Sequence, residues 1–196
     1  MTNLFVNWYS LIRISDRLLV RFKIYAFHEM LVRVLSNTLL PIIYVLTKKS
    51  QKYCLKPSVS KPKLIVSLTS FPARIESVHL VVETIFRQTV KPDMIILWLS
   101  NEQFDGVDSL SDNLIKQQSR GLTIKFKDGD IRSHKKYYYV LKEFPDANII
   151  TVDDDIFYKD TLIADLLRYH KSHPDCIVSH YSKKIVTNNN TLASYK

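Results

Sequence analysis

Asp153, Asp154 and Asp155 stand side by side at the end of the apolar run Asn148-Ile149-Ile150-Thr151-Val152. Adjacent carboxylates repel. At ~4 Å two like charges cost about 1 kcal/mol in water and about 4 kcal/mol at an effective dielectric near 20. A strand end partly screened from water gathers three of them only with a counterion, which is either a divalent cation or several basic groups. Mg²⁺ and Mn²⁺ prefer oxygen ligands, and Mg²⁺ is commonly held by one or two carboxylates together with substrate phosphates. The chemistry the triplet offers is therefore binding of a metal–diphosphate and stabilisation of the diphosphate as a leaving group. A bare acid triplet is otherwise a solvated loop, and its position after an apolar strand is what favours the metal. An EF-hand is disfavoured, because Phe157 and Tyr158 occupy the places of its loop acid and glycine. A phosphohydrolase of the haloacid dehalogenase type is disfavoured as well, because its acids follow the first strand and this triplet follows the fourth.

The elements that position the triplet alternate in type. Apolar runs at 63–69 (KLIVSLT), 94–99 (MIILWL), 122–126 (LTIKF), 148–152 (NIITV) and 176–179 (CIVS) predict five short strands. Helical spacing predicts helices over 75–87, 110–120, 133–144 and 160–170. Such alternation predicts an α/β fold with a mostly parallel sheet and flanking helices. Ligands of these sheets bind beyond the carboxyl ends of the strands. That rule selects residues 69–74, 128–136 and the acid triplet.

Charge divides the chain. Residues 1–63 hold eleven Lys and Arg against Asp16 and Glu29, and residues 64–196 hold seventeen of each sign. The net +9 thus lies wholly in a first third rich in Leu, Ile, Val, Phe and Tyr. That mixture fits an anionic membrane surface and is unlike a nucleic-acid-binding face, so no nucleic-acid partner is expected. Arg13, Arg17 and Arg21 recur every fourth residue beside Asp16, while Leu11, Ile14, Leu18, Leu19, Phe22 and Tyr25 fall elsewhere around a helix. An amphipathic helix is expected to about Val34, interrupted by Ser36-Asn37 and Pro41. The uncharged run 34–47 is fourteen residues long and too short to cross a bilayer. The expectation is a helical N-terminal segment and basic linker over 1–62, serving as a monotopic anchor. Its alternative is a helical hairpin packed on the domain or a second subunit. Cys54 and Cys176 are too few and too far apart for a disulfide framework.

The residues then resemble a family. Ser67-Leu68-Thr69-Ser70-Phe71-Pro72-Ala73-Arg74-Ile75, Gln88-Thr89, Lys91-Pro92-Asp93 and Ile95-Ile96-Leu97-Trp98-Leu99-Ser100 are similar to stretches of bacterial glycosyltransferases from capsule and surface-polysaccharide clusters. So are Asp130-Ile131-Arg132-Ser133-His134-Lys135-Lys136 and Thr151-Val152-Asp153-Asp154-Asp155-Ile156. The resemblance runs from about residue 63 to 180. It implies a GT-A-like (Rossmann-like) nucleotide-sugar-binding domain over 63–196 and a nucleoside-diphosphate sugar donor. It further implies a glycan or lipid-linked acceptor, and together with the basic amphipathic segment it leads to the expectation of a peripheral place at the cytoplasmic face of the bacterial inner membrane. In its DxD motif Asp153 and Asp155 meet Mn²⁺ or Mg²⁺ or, for Asp153, the donor; the triplet also offers Asp154. Thr69, Ser70 and Arg74 would contact the nucleotide, against the simpler reading of Thr69 and Ser70 as a helix N-cap. Lys135 or Lys136 would approach the diphosphate or donor sugar, the other being a solvated helix residue.

Complete enzymes of this kind continue past the fifth strand with acceptor-binding elements. No general base is evident after Asp155, so the domain is expected to be incomplete. The alternative to a working transferase is a non-catalytic relic, or a partner subunit of a complete one. Tyr137, Tyr138 and Tyr139 are read as packing. His170, His173 and Cys176 are read as a helix-end loop, since zinc needs a fourth ligand.

Overall fold

The computed structural model describes residues 24–47, 54–55, 62–180, 187–188 and 191–192. Four strands form one all-parallel sheet: β1 (Leu64–Thr69), β2 (Met94–Ser100), β3 (Leu122–Lys127) and β4 (Asn148–Thr151). Their spatial order is β3-β2-β1-β4. The helices are α1 (Ile24–Thr47), α2 (Ile75–Phe86), the single turn α3 (Asp112–Ile115), α4 (Lys135–Glu143) and α5 (Leu162–Ser172). A two-residue pair, β5 (Thr187–Asn188) and β6 (Thr191–Leu192), is antiparallel. Met1–Ile163 forms one compact unit and Ala164–Lys196 a second.

The expected α/β class and parallel sheet are present. β1 and β2 are almost wholly buried runs, as strands covered on both faces must be. Side chains alternate across the pleat. Ile65, Ile96 and Trp98 share a cluster with Val140 of α4, bordered by Tyr139 and Phe144. Their neighbours Val66, Leu68, Ile95, Leu97 and Leu99 point the other way and are equally buried. Burying a Leu, Ile or Val side chain contributes about 1.5–3 kcal/mol, so these two strands anchor the fold.

Three elements differ from expectation. Helix α1 runs through Ser36, Asn37 and Pro41 without a break. Ser36 Oγ donates to Arg33 O (3.0 Å) and Thr38 Oγ1 to Val34 O (2.9 Å), so local hydroxyls bond to the helix instead of ending it. Pro41 removes one ladder bond. Packing of Val32, Leu40 and Tyr44 against Leu80 and Phe157 offsets that loss. The stripe of Arg13, Arg17 and Arg21 lies outside the described residues. Residues 110–120 are not one helix. They split into α3 and a 3₁₀ turn at Gln118–Arg120, which Gly121 ends in the left-handed region (φ +112°). A Cβ at Gly121 would also stand 2.8 Å from Leu55 Cβ, so both backbone conformation and space call for glycine. Residues 176–179 form no strand, and Ile177 is fully exposed. Four apolar residues make a strand only where a neighbouring ladder receives them, and these pair with none of the described strands.

Candidate functional site

In the order β3-β2-β1-β4 the chain steps outward from β1 to β3 and then returns to the other side of β1. The crevice beyond the carboxyl ends of β1 and β4 is therefore the topological switch point, where open parallel sheets bind ligands. The end of β1 and the loop after it carry Thr69, Ser70, Phe71 and Arg74, and the stretch after β4 carries Asp153, Asp154 and Asp155. The third contribution comes from Asp130–Lys136, between β3 and α4. These residues line one cavity of about 650 Å³.

The middle acid is the buried one. Asp154 is 7% exposed. Ser70 Oγ donates to its Oδ2 (2.6 Å) and Arg74 Nη1 to its Oδ1 (3.0 Å). The same Arg74 nitrogen lies 2.7 Å from Asp155 Oδ2, so one guanidinium spans two carboxylates. Asp154 and Asp155 in turn hold the Arg74 proton more tightly than usual, chiefly through the Asp154 hydrogen bond. Arg74 also lies over the Phe71 ring, 5.4 Å from its centroid. Asp153 and Asp155 keep about half of their side-chain surface exposed, 55% and 47%. Asp153 Oδ1 accepts from Lys136 Nζ at 2.5 Å. Each acid of the triplet is thus engaged by Arg74 or Lys136, while the two outer acids stay half exposed.

Lys136 is aimed by the sheet. Ser67 Oγ of β1 donates to Lys136 O (2.5 Å) and accepts from Trp98 Nε1 of β2 (2.9 Å), which pins the first turn of α4 over β1. Lys135 is buried, and its ammonium donates to Asp130 Oδ1. Asp130 Oδ2 accepts from Gln103 Nε2 (2.8 Å), and its Oδ1 also accepts from Arg132 N (2.9 Å). The Lys135 hydrogen bond, against the opposing effect of burial, holds the Asp130 carboxyl below the usual carboxylate range. Neither lysine is the solvated helix residue expected from the sequence: one is a buried ion-pair partner and the other reaches the triplet.

Arg132 has φ +52°, a left-handed conformation that costs a residue with a Cβ about 1 kcal/mol or more. The Asp130 carboxylate holds this turn by accepting from the Arg132 N–H. The exposed Arg132 guanidinium makes no ion pair with the described residues. Gln103 Oε1 is buried and lacks a hydrogen-bond partner among them. Tyr158 braces the acid triplet: its hydroxyl oxygen accepts from Asp153 N (2.7 Å). Burial, reinforced by the three neighbouring acids, pushes this phenol up to about 12.

The seven residues expected at the site are therefore gathered in one cavity, but in unequal roles. Ser70, Arg74, Lys136, Asp153 and Asp155 form the charged cluster. Thr69 lines the cavity, yet its hydroxyl donates to Trp98 O (2.7 Å). Neither Thr69 nor Ser70 caps α2, whose N-cap position is Arg74. Gln103, Arg132 and Tyr158 were not singled out as site residues: Gln103 depends on a contact 27 positions away, and the Arg132 turn and the Tyr158 hydroxyl on bonds across 2 and 5 positions that only the folded loops set up. Tyr139 packs against Trp98 with ring centroids 5.5 Å apart, in keeping with a packing role.

Among the described residues no group of three or more His, Cys, Asp or Glu side chains is arranged to hold a metal ion alone. A cation here would use the two outer carboxylates and take further oxygens from a substrate. The lining charges fit that arrangement. Asp130, Asp153, Asp154 and Asp155 stand against Arg74, Arg132, Lys135 and Lys136, so the cavity wall is neutral. A second cavity, of about 330 Å³, is lined by Tyr44, Leu80, Glu83 and Arg120 among others. It lies away from the strand ends, and its acid, Glu83, is already paired with Arg87 and Arg120. No protein-family model matches this chain, and no curated protein matches it.

Proposed function

We propose that this chain binds a nucleoside-diphosphate sugar together with Mn²⁺ or Mg²⁺, as the donor-binding part of a glycosyltransferase with a GT-A-like fold. The acceptor is a glycan or a lipid-linked glycan. One observation carries the reading: at the switch point of a parallel sheet, two half-exposed carboxylates flank a buried one that Ser70 and Arg74 hold in place.

Electroneutrality supports it. The lining acids and bases cancel, so a dianionic diphosphate alone would meet no net attraction. Brought in with a divalent cation it adds no net charge, and local pairing decides the pose. Asp153 and Asp155 would hold the cation, whose chemistry is to take charge off the departing diphosphate. Lys136 would exchange its Asp153 contact for a phosphate oxygen, and the exposed Arg132 guanidinium, without an ion pair among the described residues, offers a second donor in the cavity lining. Arg74 would keep the two carboxylates oriented. In transfer, the bond from the anomeric carbon to the diphosphate oxygen breaks, a bond to the acceptor hydroxyl oxygen forms, and the hydroxyl proton passes to a base.

That last requirement favours a second reading for one specific reason. Among the described residues no histidine lines the cavity, and each of its four acids is engaged by a lysine or arginine. A donor-binding module that relies on a partner chain for its base fits that lining. Calorimetry with UDP and GDP, with and without Mn²⁺, tests both readings. Metal-dependent binding that Asp155→Ala abolishes supports them, and absence of nucleotide binding removes them. Sugar turnover by the purified chain then separates one from the other.

A further inference from the structure

Helix α1 buries one face and leaves the opposite face bare. Val32, Leu40 and Tyr44 are buried, with Leu80 and Phe157 packed against them. Phe27, Met30, Leu31, Val34, Ile42 and Leu46 are exposed, from 37% at Leu31 to 76% at Leu46. At ~100° per residue these six fall on one half of the helix, opposite the buried three. A helix on a water-facing surface normally turns charged and polar residues outward; this one turns outward a continuous apolar strip. Thr38 lies within that strip, and its hydroxyl bonds back to Val34 O (2.9 Å) and Leu35 O (3.2 Å). Hydroxyls that bond to their own helix need no water, as an apolar medium requires.

The flanking sequence supplies charge. Arg13, Arg17, Arg21 and Lys23 precede α1, and Lys48, Lys49, Lys52 and Lys56 follow it, with Asp16 the lone acid in those flanks. No helix among the described residues is long and apolar enough to cross a membrane. We propose that the bare face of α1 docks in the interfacial layer of an anionic lipid bilayer, with the helix parallel to the surface and the basic flanks at the headgroups. A second copy of this chain would meet the same apolar strip but bring the same cationic flanks against it. Anionic headgroups complement both features.

Docking would also place the candidate site. Tyr44 of α1 meets Phe157 edge to face with centroids 6.2 Å apart, and Phe157 lies two residues beyond Asp155. A helix lying on the bilayer holds the acid loop beside the surface that would present a lipid-linked acceptor. This consequence rests on the donor-site reading; the docking does not.

The test is co-sedimentation of the full chain with phosphatidylcholine vesicles and with phosphatidylcholine–phosphatidylglycerol vesicles, at low and high salt. The chain should pellet with the anionic vesicles, and more weakly as salt rises. The triple variant Val34→Ser, Ile42→Ser, Leu46→Ser should lose binding by roughly tenfold or more. It alters only exposed positions, and circular dichroism checks its fold. The variant Lys48→Glu, Lys49→Glu leaves α1 untouched and should weaken binding to anionic vesicles alone. The proposal is overturned if the wild type stays in the supernatant or if both variants pellet like it. It is also overturned if light scattering shows a dimer that excludes vesicles and that the triple variant dissolves. UDP and GDP calorimetry on the same samples reports the donor site separately, so failure of one reading is distinguishable from failure of the other.

Discussion

Ser70, just past the end of β1, donates its hydroxyl hydrogen to Asp154, beyond the end of β4, at 2.6 Å, and both residues are buried. This bond joins the two strand ends that form the switch point. It also separates the three acids, all of which line the cavity, into one buried carboxylate and two half-exposed ones. Ser70→Ala should therefore lower stability by about 1–3 kcal/mol, the cost of removing a hydrogen bond to a buried charged group. Urea unfolding measures it, and a loss below a few tenths of a kcal/mol would show that the bond does not hold the triplet.

The outer acids should behave in the opposite way. Asp153→Asn and Asp155→Asn alter half-exposed side chains, so each should change stability by no more than about 0.5 kcal/mol. Each should weaken Mn²⁺-dependent nucleotide binding by about tenfold or more, as the loss of one of two carboxylate ligands. Equal binding by wild type and both variants in calorimetry would remove these residues from the metal role.

Lys135 and Lys136 are adjacent but should respond differently. Lys135→Met strands the Asp130 carboxylate beside a buried position and should cost about 3 kcal/mol. Lys136→Met opens a pair with a half-exposed partner and should cost under about 1 kcal/mol, while reducing nucleotide affinity. Equal losses of stability in thermal unfolding would contradict the assigned roles.

Acid should act through Asp130. Its carboxyl binds a proton less readily folded than unfolded, because Lys135 donates to it and Arg132 adds to the effect. The resulting stabilisation is present above the unfolded value of ~3.9 and is lost as pH falls through the lower folded value. Urea midpoints measured from neutral pH downward should fall more steeply below about pH 4 in the wild type than in Asp130→Asn. Parallel curves would refute the linkage.

Alkali should act through Tyr158. Burial lifts its phenol to about 12, so the folded protein retains that proton after the unfolded chain has lost it near pH ~10. The linked stability is complete below about pH 10 and disappears as pH rises through about 12. In absorbance titration at alkaline pH, with the fold monitored by circular dichroism, Tyr158→Phe should remove the amplitude of one phenol from the step near pH 12. Unchanged amplitude there would contradict the burial-driven shift of Tyr158.

β1 and β2 were legible because each is a short apolar run buried on both faces, a pattern that needs no knowledge of neighbours; β3 and β4 are only partly buried, and were legible from alternation and from a short apolar run. The site loops were legible for a related reason: once parallel strands are placed, their carboxyl ends are candidate ligand positions. Helix α1 was less so, since Ser36, Asn37 and Pro41 weaken a helix locally and only packing around Leu40 and Tyr44 carries it through. The run at 176–179 shows the converse, an apolar segment with strand composition and no ladder to join.

The sequence by itself determined that three carboxylates follow the fourth apolar strand, and that Ser70, Arg74 and Lys136 stand at or near other strand ends. Tertiary structure decided which acid each of them meets. Ser70 and Arg74 reach across 84 and 80 positions to enclose Asp154, and Lys136 turns to Asp153 because Ser67 and Trp98 pin its helix. Three identical neighbours carry no local signal to tell them apart. Burial and pairing are properties of distant strands brought side by side, and they make Asp154 part of the scaffold while leaving Asp153 and Asp155 half exposed.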